Sequence, residues 1–172
     1  LKLVSDTVQS LWSFALGIYD ADGVQEACLA LQDEYGANVN LLLFGAWMAV
    51  TRGVVFTGDD AGRAQALVRD WDREIVRPLR AVRRKLKTGP APAPSPTTET
   101  LRNAIKDAEL SSERISLVVL EVHADAWRVP ARAAAGALET NLQRVLELTA
   151  SPDGVMQAAP FLAAIAGAIA RH

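Results

Sequence analysis

Apolar positions recur at helical spacing along most of the chain, and the densest run sets the reading of the rest. From Leu41 to Val50 every residue is apolar or glycine. Val39, Leu42, Leu43, Ala46, Trp47 and Val50 follow the i, i+3, i+4, i+7 spacing of one helix face, and Leu41, Phe44 and Met48 cover the opposite one. A helix that is apolar all round has to be enclosed by other helices. The run is roughly half of the about 20 residues a membrane span requires, so the pattern predicts a buried central helix over 38–52. Before it, Val24, Ala27, Cys28, Leu31 and Tyr35 form the stripe of an amphipathic helix. Asp22 is its expected N-cap, Gly36 its left-handed C-terminal residue, and Asn38 the cap of the helix that follows. A connection this short predicts that the two helices are antiparallel neighbours.

The same spacing predicts a first helix from about Ser5 to Tyr19, capped by Ser5 or Asp6. Its stripe is Val8, Leu11, Trp12, Ala15 and Tyr19, widened by Phe14, Leu16 and Ile18. After a loop over Gly53–Gly62, in which Val54, Val55 and Phe56 tuck inward, Asp59 or Asp60 opens a fourth helix. Ala64, Leu67, Val68, Trp71, Ile75, Leu79, Val82 and Leu86 are its apolar face, and Pro78 is expected to bend or divide it near Arg77. The alternating prolines of Thr88–Pro96 favour an extended spacer.

A long helix from about Thr97 to Ala126 comes next. It keeps a seven-residue rhythm in Leu101, Ile105, Ala108, Ile115, Val119, Val122 and Ala126, interrupted by Ser112, and such a seam calls for a facing helix. Pro130 suits the first turn of a helix to about Thr149 that presents Ala134, Leu138, Leu142, Val145 and Leu146. Ser151-Pro152-Asp153 opens a last helix to Ala170, with Pro160 placed to kink it. Its run AAPFLAAIAGAIA falls short of a membrane span, and core packing or self-association accounts for it. No alternating strand pattern of useful length appears. The expected fold is all-α, a bundle of about seven helices: four in a 1–87 half, a Pro/Ala linker over 88–96, and three in an Ala-rich 97–172 half that packs on the first or stands apart.

At 172 residues the chain can bury a core without staples, and its one cysteine excludes an internal disulfide framework and a multi-cysteine zinc site. A single thiol fits a reducing compartment, no signal-peptide pattern opens the sequence, and the cytoplasm is the expected location. The net charge of −2 conceals an asymmetry: residues 73–87 carry seven basic groups and one acidic, while residues 1–72 carry four basic and ten acidic. That concentration singles out Arg77, Arg80, Arg83, Arg84, Lys85 and Lys87. Such a cluster suits phosphates or an acidic protein face, or serves as a solvated, internally paired helix end. No aromatic residue interleaves it, which argues against base stacking.

Other chemistry is sparse. Cys28 lies on an apolar face with neither histidine nearby in sequence, the setting of a small buried hydrophobe rather than a nucleophile. Gln32 either bonds the helix junction near Asn38 and Asn40 or lines a pocket, and Asp33 is placed to pair with an arginine of 77–84. Glu121, His123 and Asp125 do not share one helix face as metal ligands would. No phosphate loop, nucleophile elbow or His-Glu-x-x-His motif occurs, so no catalytic residue, cofactor or metal is assigned.

The segments LWSFALGIY, GVQEACLALQDEYGANVNLLLF and VRPLRAVRRKLK resemble an uncharacterised proteobacterial family of short conserved-hypothetical proteins, over roughly the first half to about Lys87. The resemblance implies a bacterial, cytoplasmic, helical protein of unknown function and brings no reaction or ligand. The leading functional expectation is a non-catalytic adaptor that binds a protein partner, or itself, through the basic segment or the long seamed helix. The alternative is a small-molecule binder or unrecognised enzyme with a pocket near Trp12, Cys28, Gln32, Asn40, Trp47 and Trp71. The third is RNA or ribosome association. No membrane span is expected.

Overall fold

The computed structural model describes residues 9–130 and 134–172. Its helices are α1 (Leu11–Tyr19), α2 (Val24–Tyr35), α3 (Val39–Arg52), α4 (Gly58–Trp71), α5 (Arg77–Thr88), α6 (Pro96–Val122), α7 (Ala137–Leu146) and α8 (Pro152–Arg171). A π-helical turn, Asp72–Val76, joins α4 to α5 without a break. With that run counted as one, the described residues hold seven helices and no strand, four before the proline segment and three after it.

Local chemistry sets most boundaries. Gly36 (φ 69°) ends α2 in the left-handed region, and the Asn38 side chain accepts from the Leu41 amide to start α3. Ser151 accepts from the Gly154 amide at the start of α8, with Pro152 in the first turn, and α8 continues through Pro160. Elsewhere the caps differ from expectation. Ser10 caps α1, its oxygen accepting from the Ser13 amide, while Ser5, Asp6 and Val8 lie outside the described residues. Gly23 (φ 78°), not Asp22, precedes α2, because the turn enters through a left-handed residue that a side-chain cap does not suit. Thr57 caps α4 in a reciprocal box with Asp60, so the loop is shorter than expected; within it Val54 and Phe56 are buried and Val55 is exposed. The helix expected from Pro130 begins only at Ala137; Ala131–Ala133 lie outside the described residues.

α3 is the axis of the molecule. Leu41 through Ala49 are all buried, and only Val50 of its expected inner face turns out to solvent. Phe44 sits at the centre of an aromatic cluster, its ring 5.4 Å from Trp127, 5.9 Å from Phe56 and 6.2 Å from Trp47. α2 and α3 touch little: α2 packs mainly on α8 and α3 mainly on α7, so one core spans both sides of the proline segment. Gly45 faces α7, and a β-carbon there would sit in van der Waals contact with Val145 Cγ2 at 3.4 Å and Asn141 Cβ at 3.5 Å. Asn141, fully buried, locks the joint. Its Nδ2 donates to the carbonyls of Gly45 and Val54, both at 2.8 Å, and its Oδ1 accepts from the Phe56 amide at 2.7 Å.

The proline segment is the turn of a helical hairpin in which α6 folds back along α5 and also lies across α1, α3 and α4. The seam read from the sequence is not the face α6 buries. Leu101, Ile115 and Val122 are 51, 46 and 71 % exposed, whereas Glu109, Ser112, Ser116, Leu117 and Leu120 face inward. The reason lies opposite, where arginines rather than leucines point at α6. Ser112 belongs to the packed face, and its carbonyl receives the Trp71 Nε1–H at 3.0 Å.

α8 runs for 20 residues with a mean hydropathy of 1.4 over its most apolar window, so it is long and apolar enough by length and composition to cross a membrane, a length the run Ala158–Ala170 alone does not show. Here one face of it, Ala158, Ile165, Ala168 and Ile169, is buried in the common core.

Candidate functional site

The geometry of the site follows from Pro78. Its ring nitrogen cannot donate to the Glu74 carbonyl one turn earlier and its ring crowds that carbonyl. The chain answers with the π turn, in which the Arg77 amide bonds the carbonyl of Asp72 five residues back. The wider turn shifts the inward face. Ala61, Ala64, Val68, Asp72 and Val76 are buried, and the same line continues to Arg80 and Arg83, which are half-buried. Ile75 and Val82, expected inside, are exposed, and Leu79 is half-buried.

Across from this line α6 presents Glu109 and Glu113, one turn apart on one face. Arg80 Nε donates to Glu109 Oε1 at 3.0 Å and its Nη2 to Glu113 Oε1 at 2.7 Å. Arg83 Nε donates to Glu109 Oε2, and its Nη2 to Oε1 at 3.2 Å. The Glu109 side chain is only 7 % exposed. Burial by itself would raise its pKa, but the bonds from Arg83 and Arg80 outweigh burial and hold the carboxyl below its ordinary range. At Glu113 burial wins over Arg80 and pushes the carboxyl up. Tyr19 of α1, facing the same network, is also raised, by burial first and then by Cys28 and Glu113.

Between this network and α1–α3 lies a cleft of about 430 Å³. Ala15, Cys28, Leu43 and Leu117 are the buried part of its wall, and Leu16, Leu29 and Leu110, 44, 41 and 49 % exposed, stand at its mouth. Trp12, Tyr19, Gln32, Val39, Asn40, Arg80, Arg83, Glu109 and Glu113 also line it, with Asp20 and Gln25 beside α1 and α2 and Arg102 and Lys106 on the α6 side. A second, mostly polar cavity of about 350 Å³ adjoins it, sharing Gln32, Val39, Asn40, Arg80 and Glu113 and adding Asp33, Asn38, Asp72, Arg77 and Arg84.

Two expectations therefore meet at one place. Of the six residues read as a pocket, Trp12, Cys28, Gln32 and Asn40 line the cleft. Trp47 and Trp71 do not; Trp47 is buried under α1 with its Nε1–H on the Gln9 carbonyl at 2.8 Å, and Trp71 braces α6. Of the six basic residues, four are in ion pairs: Arg77 with Asp72 (2.6 Å), Arg80 and Arg83 with the glutamates, and Arg84 with Asp33 (2.6 Å). Lys85 and Lys87 alone among them make no ion pair with the described residues. Gln32 reaches Asp33 at 3.4 Å rather than the helix junction. Asn40 spends no side-chain hydrogen bond on the described residues. Cys28 is 1 % exposed and burial pushes its thiol up to about 12, so it stays protonated and is a wall residue, not a nucleophile. Asp125, weighed with Glu121 and His123 as a metal ligand, is bonded by Arg52 at 2.5 Å. The described residues contain no group of three or more side chains placed to hold a metal.

Sequence reasoning missed Tyr19, Glu109, Glu113 and Asn141. A signal existed for the glutamates, a pair of acids four apart facing arginines three apart, which only a hairpin brings together. Asn141 gives none, since an asparagine between apolar helix positions reads as surface.

Residues 10–120 match the model of a family described as protein of unknown function (DUF2390), a stretch longer than the first half to Lys87 and one that contains every residue lining the cleft. No curated protein and no solved structure matches the chain.

Proposed function

We propose, for a chain that belongs to the DUF2390 family of proteins of unknown function, that its role is to bind a small amphipathic molecule in the cleft between α1–α3 and the α5–α6 hairpin. The observation that carries this reading is the union, in one concavity of about 430 Å³, of an apolar wall with polar side chains that have hydrogen-bonding capacity to spare. Ligand sites are typically about 300–1,000 Å³, mostly apolar, with a few convergent polar groups. Gln32 and Asn40 supply neutral donors and acceptors, the Arg80–Glu109–Arg83 network fixes their surroundings, and Glu113 is the group suited to exchange a proton with a bound molecule.

The neutral fluorescent probe N-phenyl-1-naphthylamine tests it. The protein should enhance its emission saturably, and Leu110→Trp, which fills the mouth from an exposed position, should weaken binding by roughly tenfold, the equivalent of about 1.4 kcal/mol. Equal binding by the Leu110→Trp variant would place the probe elsewhere and remove the cleft from the account.

A second reading, a docking role toward a protein partner, rests on the outward side of α6, where Ile115, Val118 and Val122 are 46, 47 and 71 % exposed. The basic segment supports an adaptor or RNA role less well, because intramolecular pairs occupy four of its cations.

A further inference from the structure

We infer that the polar cavity beside the cleft holds the anionic head of the same ligand and that this head is a phosphate monoester, so that the ligand class is an amphipathic organic phosphate. The inference rests on the proposed binding role of the cleft and adds the identity of the head group. Its basis is a set of arginine donors that the ion pairs leave unused. Arg77, Arg80 and Arg84 recur at i, i+3 and i+7, which places them on one face of α5, and all three line the cavity. Asp72 takes only Nε of Arg77, Asp33 only Nη2 of Arg84, and the two glutamates Nε and Nη2 of Arg80. Both Nη groups of Arg77, Nε and Nη1 of Arg84 and Nη1 of Arg80 have no partner among the described residues.

The three carboxylates that also line the cavity, Asp33, Asp72 and Glu113, are each bonded to one of these guanidiniums at 2.6–2.7 Å and so hold the arginines in place. They bring the formal charge of the lining to zero; the start of α3 adds backbone donors, while the end of α2, through Gly36 and Ala37, borders the same cavity. Val39 and Asn40, the first residues of α3, form part of the wall, and amides in a first helical turn have no carbonyl one turn earlier to receive them. Guanidinium forks match the oxygens of phosphate and carboxylate alike. A cavity of about 350 Å³ with donors arriving from two helices has room for a tetrahedral group with three terminal oxygens. Because Gln32, Asn40 and Arg80 border both cavities, a molecule with its head at Arg77 and Arg84 has its apolar part directed past them to Leu43 and Leu117.

Displacement of N-phenyl-1-naphthylamine by decyl phosphate and by 1-decanol separates this inference from the reading beneath it. Decyl phosphate should displace the probe at a roughly tenfold or more lower concentration than decanol, and in Arg77→Gln/Arg84→Gln the two competitors should become equivalent while probe affinity holds. Equal potency in the unmodified protein, or a ratio the double variant leaves intact, overturns the phosphate head and spares the cleft. If the probe itself fails to bind, phosphorus NMR of butyl phosphate still decides: a saturable shift, lost in the double variant, supports the head site, and no shift overturns it. Arg77→Lys/Arg84→Lys, which keeps the charge opposite Asp72 and Asp33 but removes the forks, should also lower the ratio, and it replaces the glutamine variant should that one not fold.

Discussion

Replacing Asn141 by leucine should cost roughly 3–5 kcal/mol of unfolding free energy, because three buried backbone groups lose their partner at once and each stranded group costs about 1–3 kcal/mol, less what local relaxation recovers. Leucine has the same branched arrangement of side-chain heavy atoms as asparagine but bulkier methyl groups, so no cavity opens and the loss combines missing hydrogen bonds with some overpacking. The bonds tie α7 to the middle of α3 and to the loop that seats Phe56 against Phe44, and therefore the effect should be global, with a single cooperative transition shifted to lower urea. A change below about 1 kcal/mol would mean that water or backbone movement satisfies those groups, and the joint would no longer explain why α3 and α7 pack so closely.

Glu109→Gln should be the next most damaging substitution. Its carboxylate neutralises two half-buried guanidiniums, and removing one partner of a buried ion pair costs roughly 3–5 kcal/mol, with the lower end expected because Glu113 stays on Arg80. The effect should depend on pH in a direction the site dictates. The folded-state pKa of Glu109 lies below its ordinary 4.5, so its stabilisation is complete above that value and is lost as pH falls through the folded pKa. The gap between the unmodified protein and Glu109→Gln should therefore be widest near neutrality and close in acid. Glu113 works in the opposite sense: its folded pKa is raised, so its contribution is complete below 4.5 and is lost as pH rises through the folded value. Urea melts across this range, made on both proteins, read the difference directly. A gap that stays constant with pH would show that packing, not charge, makes Glu109 necessary.

How much of this was legible in the sequence depended on how local the cause was. The burial of α3 followed from its own composition, and the ends at Gly36, Asn38 and Ser151 followed from side chains acting within a turn of themselves. The pairing of Asp33 with a basic residue of 77–84 was also readable, as an acid at the end of one helix and a surplus of bases on another. What misled was periodicity carried across Pro78. An unbroken 3.6-residue count puts Ile75, Leu79 and Val82 inside, whereas the π turn brings in Val76, Arg80 and Arg83. The error then propagated to α6, where the apolar heptad was taken for the packed seam although arginines facing it select the glutamate and serine side. Asn141 was invisible for another reason: its partners are backbone groups about 90 residues away in sequence, and no pattern of side chains records them.

The π turn ahead of Pro78 acts as a one-residue clutch. Each residue of an α-helix advances the side chain by about 100°, and the π turn takes up one residue without that advance, so restoring ordinary winding between Asp72 and Val76 at unchanged length would rotate everything downstream by about that angle. The guanidiniums would swing toward water and Leu79 and Val82 would swing toward α6, where two glutamates wait for cations. A chain of full length that lost the turn would thus erase the charged wall while keeping every arginine, whereas loss of the one surplus residue together with the turn would leave that wall where it is.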